Sequence, residues 1–265
     1  MTSLAVKRFY AVHQYVLMTK DTAAGWDGIV EKVKGQCPGC PRNGDKMPVM
    51  FGRSAPPARA DVIIVSQEPG HWLRPLASID EATSRLSSLC SNNDVSPVKL
   101  RDAGPLSKVR EMFGSFDPSS GQVYWTHALK CVPLNSDRDI NKEWRKAATR
   151  CEAHLVEELR LLGATHLNVV AFGKYPLEMC LHLLDGQDID QELSISEFMQ
   201  NNRLPLPFRY KFKDGTVKSI DLFVLTNPSS EVVKIVKSGG KRSVDEIQGL
   251  EIARLREIVQ PKRSK

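Results

Sequence analysis

The chain has 265 residues, of which 41% are hydrophobic and 26% charged, a balance that excludes a disordered chain and fits one large α/β domain or two small ones. Its 37 Lys and Arg outnumber 31 Asp and Glu, and this basic surplus favours a polyanionic partner such as nucleic acid. No apolar run reaches the length of a membrane span, and the first residues lack an apolar signal core. A cytoplasmic protein with no membrane partner is therefore expected, and its six cysteines need an explanation other than structural disulfides.

The chain opens with apolar residues at helical spacing from Ser3 to Met18, and a second short helix is predicted over Trp26 to Val33. Gly35 to Gly44 is a loop by composition and contains Cys37-Pro38-Gly39-Cys40. Gly39 to Gly44 nearly matches a phosphate-binding loop, but Asp45 stands where lysine must follow. Pro48 to Gly52 reads as a short strand. Val62 to Val65 is a β-branched run too short for a helix and bounded by the Pro69-Gly70 turn, which predicts a strand buried on both faces. Helices are predicted over Ser78 to Leu89 and from Pro105 through Phe113. A second strand covers Val123 to Leu129, with its polar end at His127.

Asn141 to Leu162 places Trp144, Ala147, Ala148, Cys151, Leu155, Leu159 and Leu162 near one helical face, and Gly163 ends it. His166 to Gly173 predicts a third strand, and Pro176 to Leu184 and Ser194 to Asn201 predict helices. Phe208 to Lys213, Asp214-Gly215 and Thr216 to Lys218 form a hairpin pattern. Ile220 to Thr226 reads as a further buried strand. A basic glycine loop, Lys237 to Arg242, follows, then a helix capped by Ser243 and ending near Val259, and a loose tail from Pro261.

Strands alternating with helices predict one α/β domain, a three-layer sandwich with a central, mostly parallel sheet and helices on both faces. Its expected parts are an N-terminal helical region (1–36), a core (37–237) and a C-terminal helix (243–260). Right-handed crossovers bring the ends of the predicted strands at Ser66 to His71, His127 and Asn227 to Ser230 to one rim, where ligands bind in open α/β sheets. Pro69 and Gly70 hold Gln67 and Glu68 at that rim.

Cys37 and Cys40 form a Cys-x-x-Cys pair, and Cys131 and Cys151 follow far downstream. Four thiolates suit Zn²⁺ or an iron–sulfur cluster. A redox pair is the simpler use of the first two, although Pro41 and Gly44 disfavour the helix such a motif needs. Cys90 and Cys180 lie in apolar helical context and read as core residues. No Ser-His-Asp elbow or carboxylate cluster for two metals marks a hydrolase or nuclease of another kind.

The segment from Val49-Met50-Phe51-Gly52 through Ala60 to Gly70 resembles the approach to the first motif of iron–sulfur uracil-DNA glycosylases. Val123 to Pro133 resembles their second strand, whose Lys-Cys supplies a cluster ligand; Cys151 resembles the ligand on the following helix, and Leu225 to Ser229 the last active-site motif. The resemblance spans roughly residues 37 to 235. It implies a DNA-repair glycosylase acting on DNA as a monomer, with a [4Fe-4S] cluster (alternatively Zn²⁺) on Cys37, Cys40, Cys131 and Cys151. Such an enzyme flips a base out of the stack and stabilises positive charge on the sugar. Glu68 is the carboxylate candidate, with His127 and Asn227 at the base. Gln67, Pro69, Gly70, His71 and Ser229 line the pocket, and Lys237, Lys241 and Arg242 meet phosphate.

The departures fall at the chemistry. Family 4 has Gly-Glu-Ala-Pro-Gly where this chain has Ser66-Gln67-Glu68-Pro69-Gly70, which is nearer the Gln-Asp-Pro of ordinary uracil glycosylases. His127 stands where Asn is usual, and Asn227 where His is usual, although the mismatch-specific branch has Asn-Pro-Ser. The stacking aromatic is replaced by Pro105-Leu106, with Trp72 as another platform. Neutral His presents its donor and acceptor on opposite sides of the ring, unlike Asn. A changed base preference is expected, with a non-catalytic nucleic-acid-binding protein on the same scaffold as the alternative.

Overall fold

A computed structural model describes residues 25, 28–29, 46–48, 60–67, 109, 112, 123–133, 140–186, 194–226 and 243–259, with backbone alone at 46–48, 131–133, 140–143 and 145. The helices predicted over Ser3 to Met18 and Ser78 to Leu89, the loop of Cys37 and Cys40, Cys90, the basic loop and the tail lie outside the described residues. Gly28, Ile29, Val109 and Met112, inside two other predicted helices, are helical.

The strands are β1 (Lys46–Pro48), β2 (Val62–Ser66), β3 (Val123–His127), β4 (Cys131–Pro133), β5 (His166–Phe172), β6 (Leu206–Lys211) and β7 (Val217–Leu225). The helices are α1 (Ile140–Leu161), α2 (Lys174–Asp185), α3 (Ile195–Asn201) and α4 (Val244–Val259). The main sheet runs β3-β2-β5-β7-β6. β3, β2, β5 and β7 are parallel, and β6 closes the edge antiparallel to β7. β2 and β3 are buried along their whole length, which explains their unbroken apolar character.

Successive strand residues face opposite layers. Ile63, Val65, Val169, Ala171, Leu222 and Val224 share one core with Trp144, Ala147, Ala148, Cys151, Leu155 and Leu159 of α1 and with Leu177 and Cys180 of α2. The apolar stripe of α1, a helix about 33 Å long, thus lies on that face. On the other side α4 packs against β7 and β2. Arg256 of α4 donates to the Met112 carbonyl at 2.8 Å. This is the expected α/β sandwich.

Two expectations need correction. The second hairpin arm and the buried strand after it are one strand, β7, whose burial changes along its length from alternating to continuous. The first half of β7, paired to the edge strand β6, is covered on one face and its second half on both, so a single strand carries both patterns. The segment after His127, read as loop from Lys130, contains β4, which pairs antiparallel with β1 so that Pro48 lies opposite Cys131. β1 itself begins two residues before the strand expected from Pro48. The Asp214-Gly215 turn stands as expected: Gly215 has φ 88°, and Asp214 Oδ1 accepts from the Thr216 amide at 2.9 Å.

Candidate active site

β2 is followed in the chain by β3 on one side and, after α1, by β5 on the other. Strand order therefore reverses at β2 and β5, and the crevice beyond their carboxyl ends is where such sheets take ligands. Because β2, β3 and β7 are parallel, Gln67, His127 and Thr226 end at the same edge, as the sequence implies. Glu68, Pro69, Gly70, His71, Trp72, Pro105, Leu106, Asn227 and Ser229 lie outside the described residues, as do Lys237, Lys241, Arg242, Cys37 and Cys40. The chain leaves described backbone one residue before Glu68 and one before Asn227. β5, one strand wide, separates β2 from β7, so these departure points are about 10 Å apart across the rim.

The start of the first rim loop is fixed. The Ala128 amide donates to the Ser66 carbonyl at 2.7 Å, and the Leu129 amide to that of Gln67 at 2.9 Å. These bonds extend the β2–β3 pairing past the strand ends and hold the backbone that presents Gln67. The β5–α2 connection consists of Gly173 alone, at φ 102°, a conformation that side chains with a Cβ rarely adopt. Its amide donates to Leu225 at 2.8 Å, which ties the turn to the end of β7. The sequence pattern leaves this turn out of the rim, and its signal was a glycine placed between a strand and a helix.

Two buried polar clusters lie on opposite faces of the β3 end. On the α4 side, Ser66 and His127 are register partners, and Ser66 Oγ is 2.6 Å from His127 Nδ1. Trp125 Nε1 donates to the same Oγ at 2.9 Å, and its ring centre is 6.3 Å from that of His127. His127 is only 3% exposed. Burial first, then the Lys130 charge, push its pKa down to about 3, so the imidazole is neutral at physiological pH.

On the α1 side, Lys130 Nζ donates to Thr126 Oγ1 and to the His127 carbonyl, both at 2.6 Å. It also pairs with Glu158 at 2.8 Å, both side chains being essentially fully buried. Two hydrogen bonds and a buried ion pair make Lys130 a brace between β3 and α1. Burial, then the Glu158 charge, raise the Tyr124 pKa well above its ordinary value. Neither cluster is visible as a sequence motif: each depends on cross-strand register or on a helix crossing the sheet.

Of the candidate metal ligands, Cys131 opens β4 and Cys151 is buried on α1. β4 pairs with β1, which starts six residues after Cys40. Cys151 is two turns from Glu158 on the same helix, and Glu158 grips Lys130, the residue before Cys131. Among the described residues no group of three metal-ligating side chains forms. Cys180 is a core residue as expected; burial pushes its thiol up to about 12.

A mostly parallel α/β sandwich whose strand order reverses at β2 and β5 is a scaffold that takes ligands at that edge. The sequence model of the Uracil DNA glycosylase superfamily matches residues 53–234, and the chain belongs to that superfamily. Its members are DNA glycosylases, hydrolases that act on DNA. The match takes in β2 to β7 with Cys131 and Cys151, and leaves out Cys37, Cys40 and α4. No curated protein matches the chain. No described helix is long and apolar enough to cross a membrane.

Proposed function

We propose that this protein is a DNA-repair glycosylase that flips a deaminated base from DNA and hydrolyses its N-glycosidic bond, with a base preference shifted from uracil. The observation that carries the reading is the parallel register that sets Ser66 opposite His127 at the reversal edge of a sheet of this superfamily. Glu68 follows Ser66 by two residues. As a carboxylate at that rim it would stabilise the developing sugar cation or orient the attacking water. Asn227 donates to a base carbonyl and His127 reads the base edge. Gln67, Pro69, Gly70, His71 and Ser229 shape the pocket. Lys237, Lys241 and Arg242 contact phosphate, which adds affinity without sequence preference.

Cys37, Cys40, Cys131 and Cys151 would hold a [4Fe-4S] cluster, which supplies a structural cross-link between the N-terminal loop, β4 and α1. The β1–β4 pairing supports this by drawing the chain after Cys40 to Cys131. Protein prepared anaerobically should be brown and contain iron; colourless protein with stoichiometric zinc selects the Zn²⁺ alternative. The deep burial of His127 favours a second reading, a non-catalytic DNA-binding protein on the same scaffold. Duplexes carrying uracil, hypoxanthine or xanthine, treated with the protein and then alkali, separate the two. Strand cleavage at the lesion supports the glycosylase, and intact strands under tight DNA binding support the second reading.

A further inference from the structure

Ser66 has one hydroxyl proton and accepts hydrogen bonds on its oxygen. Trp125 Nε1 can only donate, so at 2.9 Å it fills one acceptor site of Oγ. The hydroxyl proton then has two destinations: His127 Nδ1 at 2.6 Å and the Thr126 carbonyl at 3.4 Å. The first is a strong O–H···N distance and the second lies at the limit of a hydrogen bond. With the proton directed to Nδ1, that nitrogen is the acceptor and the ring carries its own proton on Nε2.

We propose that Ser66 and Trp125 are positioning residues that hold His127 in the Nε2–H tautomer, so that the base it reads presents a carbonyl oxygen to it and not an amine. The substrate part rests on the glycosylase reading above; the tautomer part does not. Such a donor favours bases that present a carbonyl at that edge, uracil and hypoxanthine among them, over bases that present only an amine there. Asn at this position would offer donor and acceptor side by side. A single fixed donor is the narrower device, and its sense is set by residues that do not touch the base.

The test is long-range ¹H–¹⁵N correlation on ring-labelled histidine in the intact protein, paired with base release from duplexes. Expected for His127 are a protonated Nε2 and an unprotonated, hydrogen-bonded Nδ1. Ser66→Thr keeps this pattern, while Ser66→Ala and Trp125→Phe give shifts averaged between tautomers or an Nδ1 without its hydrogen-bond shift. Release of uracil or hypoxanthine falls about tenfold in Ser66→Ala, the cost of one misdirected hydrogen bond, and recovers in Ser66→Thr. Circular dichroism identifies a variant that does not fold, and Trp125→Phe then carries the test in place of Ser66→Ala. A proton on Nδ1 in the parent protein overturns the proposal, as does an unchanged ring spectrum in both variants. Faster release of an amine-bearing lesion such as 3-methyladenine overturns the substrate class. If the parent protein releases no base at all, the glycosylase reading fails, and the spectra still decide whether Ser66 and Trp125 set the tautomer.

Discussion

Burial holds His127 neutral and Lys130 is paired with a buried carboxylate, and each makes a measurable demand on stability. Burial and the Lys130 charge lower the His127 pKa to about 3, against an unfolded value near 6.5. Between these values the unfolded chain binds a proton that the folded chain refuses, so folding stability falls as pH drops below 6.5. At pH 5 this single group removes about 2 kcal/mol relative to neutral pH. Urea titrations of the parent and of His127→Gln should show the loss only in the parent; equal slopes against pH would place His127 in contact with water. Lys130 makes the opposite demand. Its pairing with Glu158 is buried on both sides, and Lys130→Met leaves a carboxylate without a counter-charge, at a cost of about 3–5 kcal/mol. The double variant Lys130→Met with Glu158→Leu should recover most of that loss in the same titration. Sequence reasoning placed His127 at the rim because a polar residue ending an apolar run marks a strand terminus. It could not find Ser66 and Trp125 as its neighbours, or Glu158 as the partner of Lys130. A 2.6 Å contact between residues 61 positions apart follows from register, which a single sequence does not state.

At the scale of elements, α1 was legible because its apolar residues recur at helical spacing for its whole length, and the hairpin because Asp-Gly demands a tight turn. The end of α1 shows what spacing does not reveal. Gly163 follows its last turn, yet the orphan carbonyls of that turn are taken by a lysine from another element. Lys218 of β7 donates to Leu159 at 2.8 Å, to Arg160 at 2.9 Å and to Leu162. Burial and the Arg160 charge draw its pKa down to about 8, whereas three carbonyls and the negative end of the helix dipole favour the ammonium. The ammonium is the main form at neutral pH. Lys218→Met should then cost about 2 kcal/mol, the worth of hydrogen bonds to a charged donor, seen as a lower midpoint in thermal unfolding. An unchanged midpoint would mean that water caps the helix equally well. β7 reads as two strands for a related reason: alternation in its first half and continuous burial in its second are different patterns, and no break residue separates them. The three-residue strands β1 and β4 are too short to carry any period.

Across the whole molecule the parallel strands end at one edge, and residues 227–242 join β7 to the last helix in sequence. Thr226 follows β7, and its hydroxyl accepts from Gln248 Nε2 of α4 at 2.7 Å. Ser243 and Glu246 close the start of α4 with reciprocal bonds of 3.2 and 2.8 Å, a capping box. The residues on either side of 227–242 are therefore held, and Lys237, Lys241 and Arg242 lie between them in sequence. Replacing these three by Ala halves the net charge of +6 while leaving the residues on either side intact. If all three neutralise phosphates, the plot of log affinity for duplex DNA against log salt should become shallower by about 3, at roughly 0.9 per phosphate lost. Fluorescence anisotropy from about 50 to 200 mM salt measures that slope. The thermal midpoint should stay near the parent value, because no described core residue or cap is touched. A slope that does not change would assign the loop's charge to solvent and move the DNA contact elsewhere on the chain. A slope that changes by about 1 would mean that a single side chain reaches the backbone, and the three single variants would name it.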